Sequence, residues 1–595
     1  MIEDAIVKLK YYVRYINKGV ILYNIKVNLK NILTIGILLI LLISNFIPST
    51  VGINVLNKKT SDNIGALNGN ILFTPQALTT TYLINKNGNV EHTWESSYLP
   101  GQSVYMLENG NILRTAKIVT VWPGGAGGGL QEIAWNGDII WYFTYYNDNH
   151  LSHHDIEILP SGNILMIAWE YKTPAQAIAV GRNPNNIGST FMVDHVIEVK
   201  KTGPTSGEIV WEWHLWDHLI QDYDPSKENY GAVADHPELI DINFGKENMD
   251  WNHVNSIDYN EEFDQILLSS FGQDEVWIID HSTTTEEATG HIGGNSGKGG
   301  DILYRWGNPR AYRAGTVDDR KFFGQHDANW IGSGCPGEGN ILVFNNGLDR
   351  PEGKYSSVDE IVPPVDSNGN YSYIPGSAYG PENQVWIYTA ENPTNFYSYR
   401  LSGAQRLSDG NTLICNGANG IFLEVTPEKA TIWEYTNPYP APLINQVFKI
   451  RYYQEQTSGP NLDCEGSFYW EDVGIGENLN GSFKVKNIGD NGTLLNWEVE
   501  SYPSWGNWTF TPESGENLTP EDEFIIVKVN VTAPDITNKV FRGEIKVVNQ
   551  DNSEDFDIVP VYLKTPLNKI MFNKPILKFL KLLIMNFPIL YQIFV

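Results

Sequence analysis

Three histidines, His154, His253 and His326, occupy matching places in successive repeats of the chain, although long stretches of sequence separate them. Near neutral pH an imidazole can act as a base, a nucleophile, a metal ligand or a donor to an anion. Arg350 follows the last of them and adds a permanently charged, forked donor that suits sulfate or phosphate oxygens. These four residues are therefore the predicted catalytic group.

Polar residues accompany the histidines and are the predicted substrate-binding group. Asp155 and Asp327 each follow a histidine directly, and Asn255 stands two residues beyond His253. Ser402 occupies the equivalent position in the next repeat. Carboxylates, amides and hydroxyls at these places would orient the imidazoles or a bound ester.

Three imidazoles with an open position also form a known zinc geometry, which is the physical alternative to an anion site. The spacing lacks a short-range pair of ligands, so we expect neither a metal nor another cofactor at these histidines. His153 and His154 are adjacent. On a regular strand their side chains would point to opposite faces, so we expect only one of them to reach the site.

Two alternating kinds of segment recur between residues 65 and 455 and must position these side chains. The first is a turn followed by an apolar strand, in Asn68–Leu72, Asn109–Leu113, Ser161–Leu165, Gly339–Leu342 and Asp409–Leu413. The second is a short aromatic strand, around Trp94, Trp141, Trp211, Trp306, Trp386 and Trp433. The aromatic strand occurs six times. Six repeats of this kind predict an all-β fold, a six-bladed β-propeller, and an irregular multi-sheet β fold is the alternative.

Aligning the repeats on the apolar residue before each turn places the three histidines in register. Gln102, His154 and Ser402 lie five residues before that apolar residue, and His253 and His326 fall at the same place in two repeats with distorted turns. The strands nearest a propeller axis begin at one rim. Residues at this position should therefore converge around the central channel.

The rest of the chain is predicted to form three further parts. Residues 464–565 have alternating strands and turns that predict a small immunoglobulin-like β-sandwich. Residues 1–52 carry a basic stretch and a short uncharged apolar run, typical of an export signal or a signal anchor. Residues 566–595 form a basic, apolar tail, either a membrane-proximal segment or a docking helix. Glycosylation sequons stand at Asn370, Asn480, Asn491, Asn507, Asn517 and Asn530.

The net charge of the chain bears on which kind of molecule the protein binds. The 595 residues contain 41 Lys and Arg against 70 Asp and Glu, a formal net charge of −29. Nucleic-acid binding normally needs a basic surface, so we expect no nucleic acid as partner. The export signal and the sequons predict an extracellular or cell-surface glycoprotein, with membrane association through the termini.

Four motifs in order resemble the arylsulfotransferases, the propeller enzymes that do not use an activated nucleotide as sulfate donor. They are His153–Asn163, Asp250–Ile257, Gln325–Asp327 with Phe344–Gly347, and Gly403–Leu413. The resemblance implies transfer of a sulfuryl group from a phenolic sulfate ester to a phenol, through a sulfated histidine, in an exported enzyme. It also implies that His253, His326 and Arg350 bind and polarise the sulfuryl group.

The chain departs from the family pattern at the nucleophile. The best-studied branch places its nucleophilic histidine after the arginine, and no histidine follows His326 in this sequence. His154 is therefore our first candidate for nucleophile or base, with direct transfer as an alternative. Two other hypotheses stand beside the enzyme. One is a noncatalytic cell-surface binding or adhesion protein, and the other, less favoured, is a quinone-dependent propeller dehydrogenase.

Overall fold

The structure is a computed structural model that describes residues 69–119, 124–245, 249–454, 459–489 and 492–566. The predicted export segment (1–52) and the tail beyond residue 566 lie outside the described residues. Nearly all regular structure in the described ranges is strand. No helix among them is long and apolar enough to cross a membrane.

The strands of the first half of the chain form four-stranded antiparallel units, which we call blades and number in chain order. Blade 1 contains β1 (Gly69–Phe73), β2 (Thr81–Asn85) and β3 (Val90–Trp94). Blade 2 contains β4 (Pro100–Met106), β5 (Ile112–Lys117), β6 (Gly128–Ile133) and β7 (Ile139–Thr144). Blade 3 contains β8 (His150–Ile158), β9 (Ile164–Lys172), β10 (Phe191–Gly203) and β11 (Ser206–His214). A parallel bridge between Gln102 and His154 joins the inner strands β4 and β8.

Short elements occupy the connections. Two strands, β12 (Leu219–Ile220) and β13 (Ile240–Asp241), pair in parallel, and two helices, α1 (Pro174–Ala179) and α2 (Thr285–Ala288), lie in loops. Short 3₁₀ turns are Pro184–Asn186, Leu215–His218, Val233–Asp235, Pro309–Tyr312, Val317–Asp319, Pro393–Asn395 and Gly417–Asn419.

Three more blades complete the ring. Blade 4 contains β14 (Val254–Asn260), β15 (Gln265–Ser270), β16 (Glu275–Asp280) and β17 (Tyr304–Trp306). Blade 5 contains β18 (His326–Trp330), β19 (Ile341–Asn345), β20 (Ser357–Ile361) and β21 (Trp386–Tyr388). Blade 6 contains β22 (Ser402–Arg406), β23 (Thr412–Asn416), β24 (Ile421–Val425) and β25 (Thr431–Thr436). The last strand, β26 (Arg451–Gln454), pairs with β1 and becomes the fourth strand of blade 1, which closes the ring.

Apolar side chains between neighbouring blades form the core of the ring. Among the described residues, a cluster of buried residues lies between each pair of successive blades, including blades 6 and 1. Between blades 3 and 4, for example, Trp213 packs in the same cluster as Trp277. The predicted all-β, six-bladed fold is confirmed.

The two recurring sequence segments correspond to fixed places in a blade. The turn-then-strand segments enter the second strand from the axis, as in β5, β9, β19 and β23. The glycines of these turns, such as Gly110 and Gly162, have φ near +80°, which a residue with a side chain adopts at a cost. The aromatic strands are the outermost ones, and Trp94 and Trp141 are buried there against the next blade.

Residues 459–566, apart from the pair at 490–491, form two sheets that enclose one apolar core. The first sheet contains β27 (Leu462–Glu465), β29 (Asn478–Asn487), β31 (Asn507–Thr511) and β33 (Ile525–Thr532). The second contains β28 (Phe468–Trp470), β30 (Leu495–Ser501), β32 (Ser514–Leu518), β34 (Val540–Asn549) and β35 (Asn552–Lys564). This arrangement is a β-sandwich. The sequon asparagines that the structure describes are all exposed: Asn370, Asn480, Asn507, Asn517 and Asn530.

Candidate active site

The rings of the three predicted histidines form one chain of contacts at the propeller axis. The ring centroids of His154 and His253 are 4.6 Å apart. Phe271 links His253 to His326, at 5.2 and 5.7 Å, and Phe448 contacts both His154 and His326, at 5.9 and 6.3 Å. The inner strands therefore bring together three imidazoles from blades 3, 4 and 5, with two phenyl rings between them.

The backbone is irregular where these side chains enter the channel. His154, His253 and Asp327 have φ of 50°, 44° and 53°, in the left-handed region that non-glycine residues rarely occupy. The pairing of their inner strands with the second strands is interrupted at the same places. Such strain costs about 1–3 kcal/mol per residue and is typical of functional sites.

His253 carries positive charge more readily than a free histidine. Its Nδ1 lies 2.5 Å from Oδ2 of Asp250. Burial opposes the charge, but the carboxylates of Asp250 and Asp194 outweigh it and raise the pKa of His253. The side chain is 20% exposed. Because Nδ1 is held by the carboxylate, the Nε2–H is left to serve a ligand.

His154 is neutral and stands at the end of a buried chain of three groups. Its Nδ1 lies 2.8 Å from Nδ1 of His153, whose Nε2 lies 2.6 Å from Oδ1 of Asp194. Burial lowers the pKa of His153 to about 3 and that of His154 well below its ordinary value, and His253 lowers the latter further. The ring of His153 stacks on that of Trp169, with 4.0 Å between centroids; that only one of the two histidines reaches the site remains a prediction. The irregular strand at His154 turns both rings toward each other.

Gly125 makes room for the His154 ring. A Cβ atom at this position would lie 2.0 Å from Cε1 and 2.3 Å from Nε2 of the imidazole. Its φ of 96° also disfavours any residue with a side chain. Glycine is therefore required here by both the ring and the backbone.

His326 has one defined tautomer. The side-chain amide of Asn346 donates from Nδ2 to the Ser398 carbonyl at 2.8 Å, so its Oδ1 faces Nδ1 of His326, at 2.8 Å. An amide oxygen only accepts, so Nδ1 carries the proton. Burial lowers the pKa of His326 to about 4. The free ring is thus neutral, with its lone pair on Nε2. Ser402 donates to the same amide oxygen at 3.2 Å.

The two carboxylates predicted to bind substrate lie in a buried network of ion pairs. Lys449 donates to Oδ2 of Asp155 at 2.6 Å and to Oδ1 of Asp327 at 3.1 Å, and Arg451 donates to both oxygens of Asp327, at 2.9 and 2.6 Å. Tyr105 donates to Asp155 at 2.8 Å. Although burial alone would raise it, Arg451 and Lys449 lower the pKa of Asp327 to about 2. The network thus ties blades 3 and 5 to the segment that closes the ring.

Asn255 also connects strands. It is fully buried, and its Nδ2 donates to the Gln325 carbonyl at 2.8 Å, next to His326. Its Oδ1 is buried without a hydrogen-bond partner among the described residues. The amide therefore positions the start of β18 from the neighbouring blade.

Arg350 lies in the loop between β19 and β20. Its guanidinium stacks 4.3 Å from the Tyr355 ring and 5.1 Å from the Phe323 ring, and NH2 donates to Ser357 Oγ at 3.1 Å. Its buried Nε has no acceptor within the described part of the chain. The structure places this donor three residues in sequence beyond Gly347, on the same loop that follows Asn346.

The ring nitrogens of the three histidines at the axis have the following arrangement. Among the described residues, the ring nitrogens of His154, His253 and His326 do not form a group of three within 4.8 Å. The Nδ1 atoms of all three rings already face other side chains.

A sequence model of the family described as arylsulfotransferase (ASST) matches residues 54–458, more than half of the chain and the whole ring of blades. The chain belongs to the arylsulfotransferase family. It is 26% identical to the arylsulfate sulfotransferase AssT of Escherichia coli O6:H1, over 45% of this chain and 45% of that protein. The chain thus matches less than half the length of this relative.

Solved structures resemble this arylsulfotransferase-family chain only distantly. A protein of unknown function from Bacteroides caccae has a TM-score of 0.36 and 12% identity, covering 65% of this chain and 100% of its own. A virginiamycin B lyase from Staphylococcus aureus has a TM-score of 0.30 and 9% identity, covering 71% and 92%. Likenesses at this level carry no information about the site.

Several residues of this family member's site were not found from its sequence. Asp250 stands three residues before His253, a spacing visible in the motif. Lys449 and Arg451 alternate with apolar residues in the closing segment, an unusual place for two cations. Asp194 carries no local signal, because only the fold brings it to the histidines. Asn346 lies in the Phe344–Gly347 motif, but the motif does not show that its amide faces His326.

Replacing Lys449 with Met should lower the free energy of unfolding of the propeller by about 3–5 kcal/mol, because it leaves Asp155 buried without its cation. Urea unfolding followed by tryptophan fluorescence measures this. Lys227→Met removes the same charge from a pair with Asp224 whose atoms are 3.8 Å apart and partly exposed, and should cost less than about 1 kcal/mol. Equal losses in the two variants would contradict the role of the network.

Asp250→Asn should lower the pKa of His253, because the carboxylate that favours the charged ring is replaced by a neutral amide of the same size. NMR titration of the histidine ring protons, with His253→Gln to assign the signal, measures the shift. Asp222→Asn changes an exposed carboxylate and serves as the control. An unchanged titration of His253 in Asp250→Asn would show that the pair does not set its charge.

Proposed function

We propose that the protein transfers a sulfuryl group from a phenolic sulfate ester to a phenol, without a nucleotide donor and through a sulfated histidine. The observation that carries the proposal is the pair formed by His253, whose pKa is raised, and the neutral His154, at 4.6 Å between ring centroids. His253 can donate a proton to the leaving phenoxide while the neighbouring His154 attacks the sulfur atom. Membership of the arylsulfotransferase family supports this chemistry.

In the first half-reaction, the Nε2 lone pair of His154 forms a bond to sulfur. The bond between sulfur and the aryl oxygen breaks, and its electron pair leaves with the phenoxide. His253 gives its Nε2 proton to that oxygen and keeps its Nδ1 against Asp250. Proton donation to a leaving phenoxide typically contributes about 10²–10⁴-fold to the rate.

The chain behind His154 takes up the charge that sulfation creates. As the ring becomes positive, its Nδ1 proton moves to Nδ1 of His153. Asp194 Oδ1 lies 2.6 Å from Nε2 of His153 without hydrogen-bond alignment, and a small rotation that aligns the pair lets the Nε2 proton move to Asp194. Burial and the nearby charge of Asp250 raise the pKa of Asp194 well above its ordinary value, so this carboxylate readily accepts a proton. The relay leaves a neutral sulfated imidazole and a neutral carboxyl group.

The second half-reaction reverses these steps with a different phenol. The acceptor gives its proton to the neutral His253, and its oxygen forms the bond to sulfur. The bond between sulfur and Nε2 breaks with its electron pair returning to His154, while Asp194 returns the proton through His153. His253 ends protonated, as it began.

His326 and Arg350 are assigned to the sulfuryl oxygens. The guanidinium of Arg350, held by Ser357 and by the Tyr355 ring, offers a fixed cationic donor to an anion. The free His326 is neutral, but an anionic ester beside a buried ring favours its protonated form. Charge that builds on the nonbridging oxygens would then meet two cationic donors.

The carrier of the sulfuryl group is assigned to His154 for a further reason. Ser402, at the equivalent position of blade 6, has a fully buried side chain whose hydroxyl donates to Asn346. Within the described part of the chain no base contacts that hydroxyl, so it lacks the activation that a serine nucleophile needs. His154 has both a lone pair and a proton relay.

His154→Gln should reduce release of nitrophenolate from p-nitrophenyl sulfate, in the presence of excess phenol, by at least about a thousandfold. Mass spectrometry of the protein quenched without acceptor should find one sulfuryl group on the peptide that contains His154. His236→Gln, at an exposed histidine outside the site, should behave as the wild type. Sulfation at His253 or His326 would overturn the assignment, and aryl-sulfate binding without turnover would favour a noncatalytic protein.

Asp194→Asn should lower kcat by about 10²–10⁴-fold with little change in KM, because an amide cannot accept the relayed proton. Asp194 does not face the ester, so substrate binding should persist. The pH dependence of kcat distinguishes loss of the relay from a packing defect. Loss of the relay removes the titration of Asp194 from the profile, whereas a packing defect lowers kcat equally at every pH. A loss confined to KM would contradict the relay.

A further inference from the structure

A second group of titratable side chains lies on the outer side of blades 3 and 4, away from the residues assigned to the reaction. It consists of His218, in the 3₁₀ turn after β11, with His291 and Asp301 in the loop between β16 and β17. One ligand atom from each residue lies within 4.8 Å of the other two. We call these residues the blade 3–4 cluster.

The hydrogen bonds of His218 define its tautomer: in the neutral ring, Nε2 is protonated and Nδ1 is not. Its Nε2 lies 2.9 Å from the Ala288 carbonyl, which only accepts, so Nε2 carries the ring proton of a neutral histidine. Nδ1 then points a lone pair at Oδ1 of Asp301, 2.9 Å away. Two acceptors at this distance need a proton, on the ring or on the carboxyl group, or a metal ion between them.

His291 brings a second imidazole to the same oxygen. Its Nδ1 lies 2.8 Å from Oδ1 of Asp301. In a tetrahedral zinc site, bonds of about 2.0–2.2 Å place ligand atoms about 3.3–3.5 Å apart. The two observed separations, 2.9 and 2.8 Å, are about 0.5 Å shorter than that value, so both imidazoles must draw back from Asp301 by about this distance to admit the ion.

The buried ligands are already oriented. The indole of Trp213 stacks on the His218 ring, with 5.7 Å between centroids and 7° between planes, and its Nε1 donates to the Gly300 carbonyl at 2.7 Å. A Cβ on Gly300 would come within 2.6 Å of His218 Nε2. A metal-bound histidine usually donates its other ring N–H to a carbonyl or carboxylate, as His218 does to Ala288.

The loop has a physical use for such an ion. It runs over residues 281–303, contains six glycines and includes one four-residue helix, α2. A glycine-rich loop loses much conformational entropy when it becomes ordered. A metal ion that links two distant residues of the loop restricts the unligated loop's conformations. The side chain of His291 is 60% exposed, which leaves a coordination position for water.

We propose that His218, His291 and Asp301 bind one zinc-class divalent ion, with water as fourth ligand, which fastens this loop of blade 4 to blade 3. Two imidazoles and one carboxylate suit zinc or cobalt and not calcium or magnesium, which prefer oxygen ligands. The site takes no part in the sulfuryl transfer proposed above, and its test does not depend on that activity.

The tag-free full-length chain, treated with chelator and dialysed, is titrated with Co²⁺ and then Zn²⁺. We expect one Co²⁺ per chain with the visible absorption of a tetrahedral site, which Zn²⁺ abolishes and Mg²⁺ or Ca²⁺ does not. The thermal midpoint should rise with Zn²⁺, because an ion that binds the folded state stabilises it. Cleavage within residues 281–303 by a protease should slow in the same samples.

His291→Ala should weaken Co²⁺ binding by at least about tenfold and remove the Zn²⁺-dependent protection, while its exposed position leaves the fold intact. His236→Ala is the matched control, because His236 is also exposed and paired with a carboxylate, Glu238, but stands outside the cluster. Asp301→Asn tests the buried ligand. Unchanged binding in His291→Ala, or an equal loss in His236→Ala, would overturn the site.

Discussion

Two buried carboxylates at the propeller axis need two cations, and the rest of the site depends on this requirement. Asp155 and Asp327 are almost fully buried, where an unpaired charge would cost several kcal/mol. Lys449 and Arg451 meet that need from the segment that enters β26. Each carboxylate directly follows a predicted catalytic histidine, so the ion pairs that close the ring also fix the backbone beside the imidazoles.

This network also decides where positive charge is available to a ligand. The side chains of Lys449 and Arg451 form ion pairs with buried carboxylates, so their positive charges are neutralised within the protein and do not act on a ligand. His253 and Arg350 are the cationic groups that we assign to the ester. A protein with a formal net charge of −29 can therefore present local positive charge to an anion at its axis.

The fold was predictable from the sequence because blades repeat. Each turn glycine and each outer tryptophan recurs at a fixed place. Registering the repeats put Gln102 and His154 at equivalent positions, and the structure joins these two residues by a parallel bridge. The three histidines were predictable for the same reason. Their protonation was not, since it depends on partners from other strands. Asp194 lies far from His154 and His253 in sequence and has no motif of its own, and the motif that contains Asn346 does not show which ring its amide meets.

The closing segment ties assembly of the site to synthesis of the whole ring. Lys449 is 294 residues from Asp155 and 122 from Asp327. A ribosome therefore finishes the blades that carry His154, His253 and His326 well before it makes the cations that neutralise the axis. A nascent or truncated chain would accordingly hold every histidine and still lack the site.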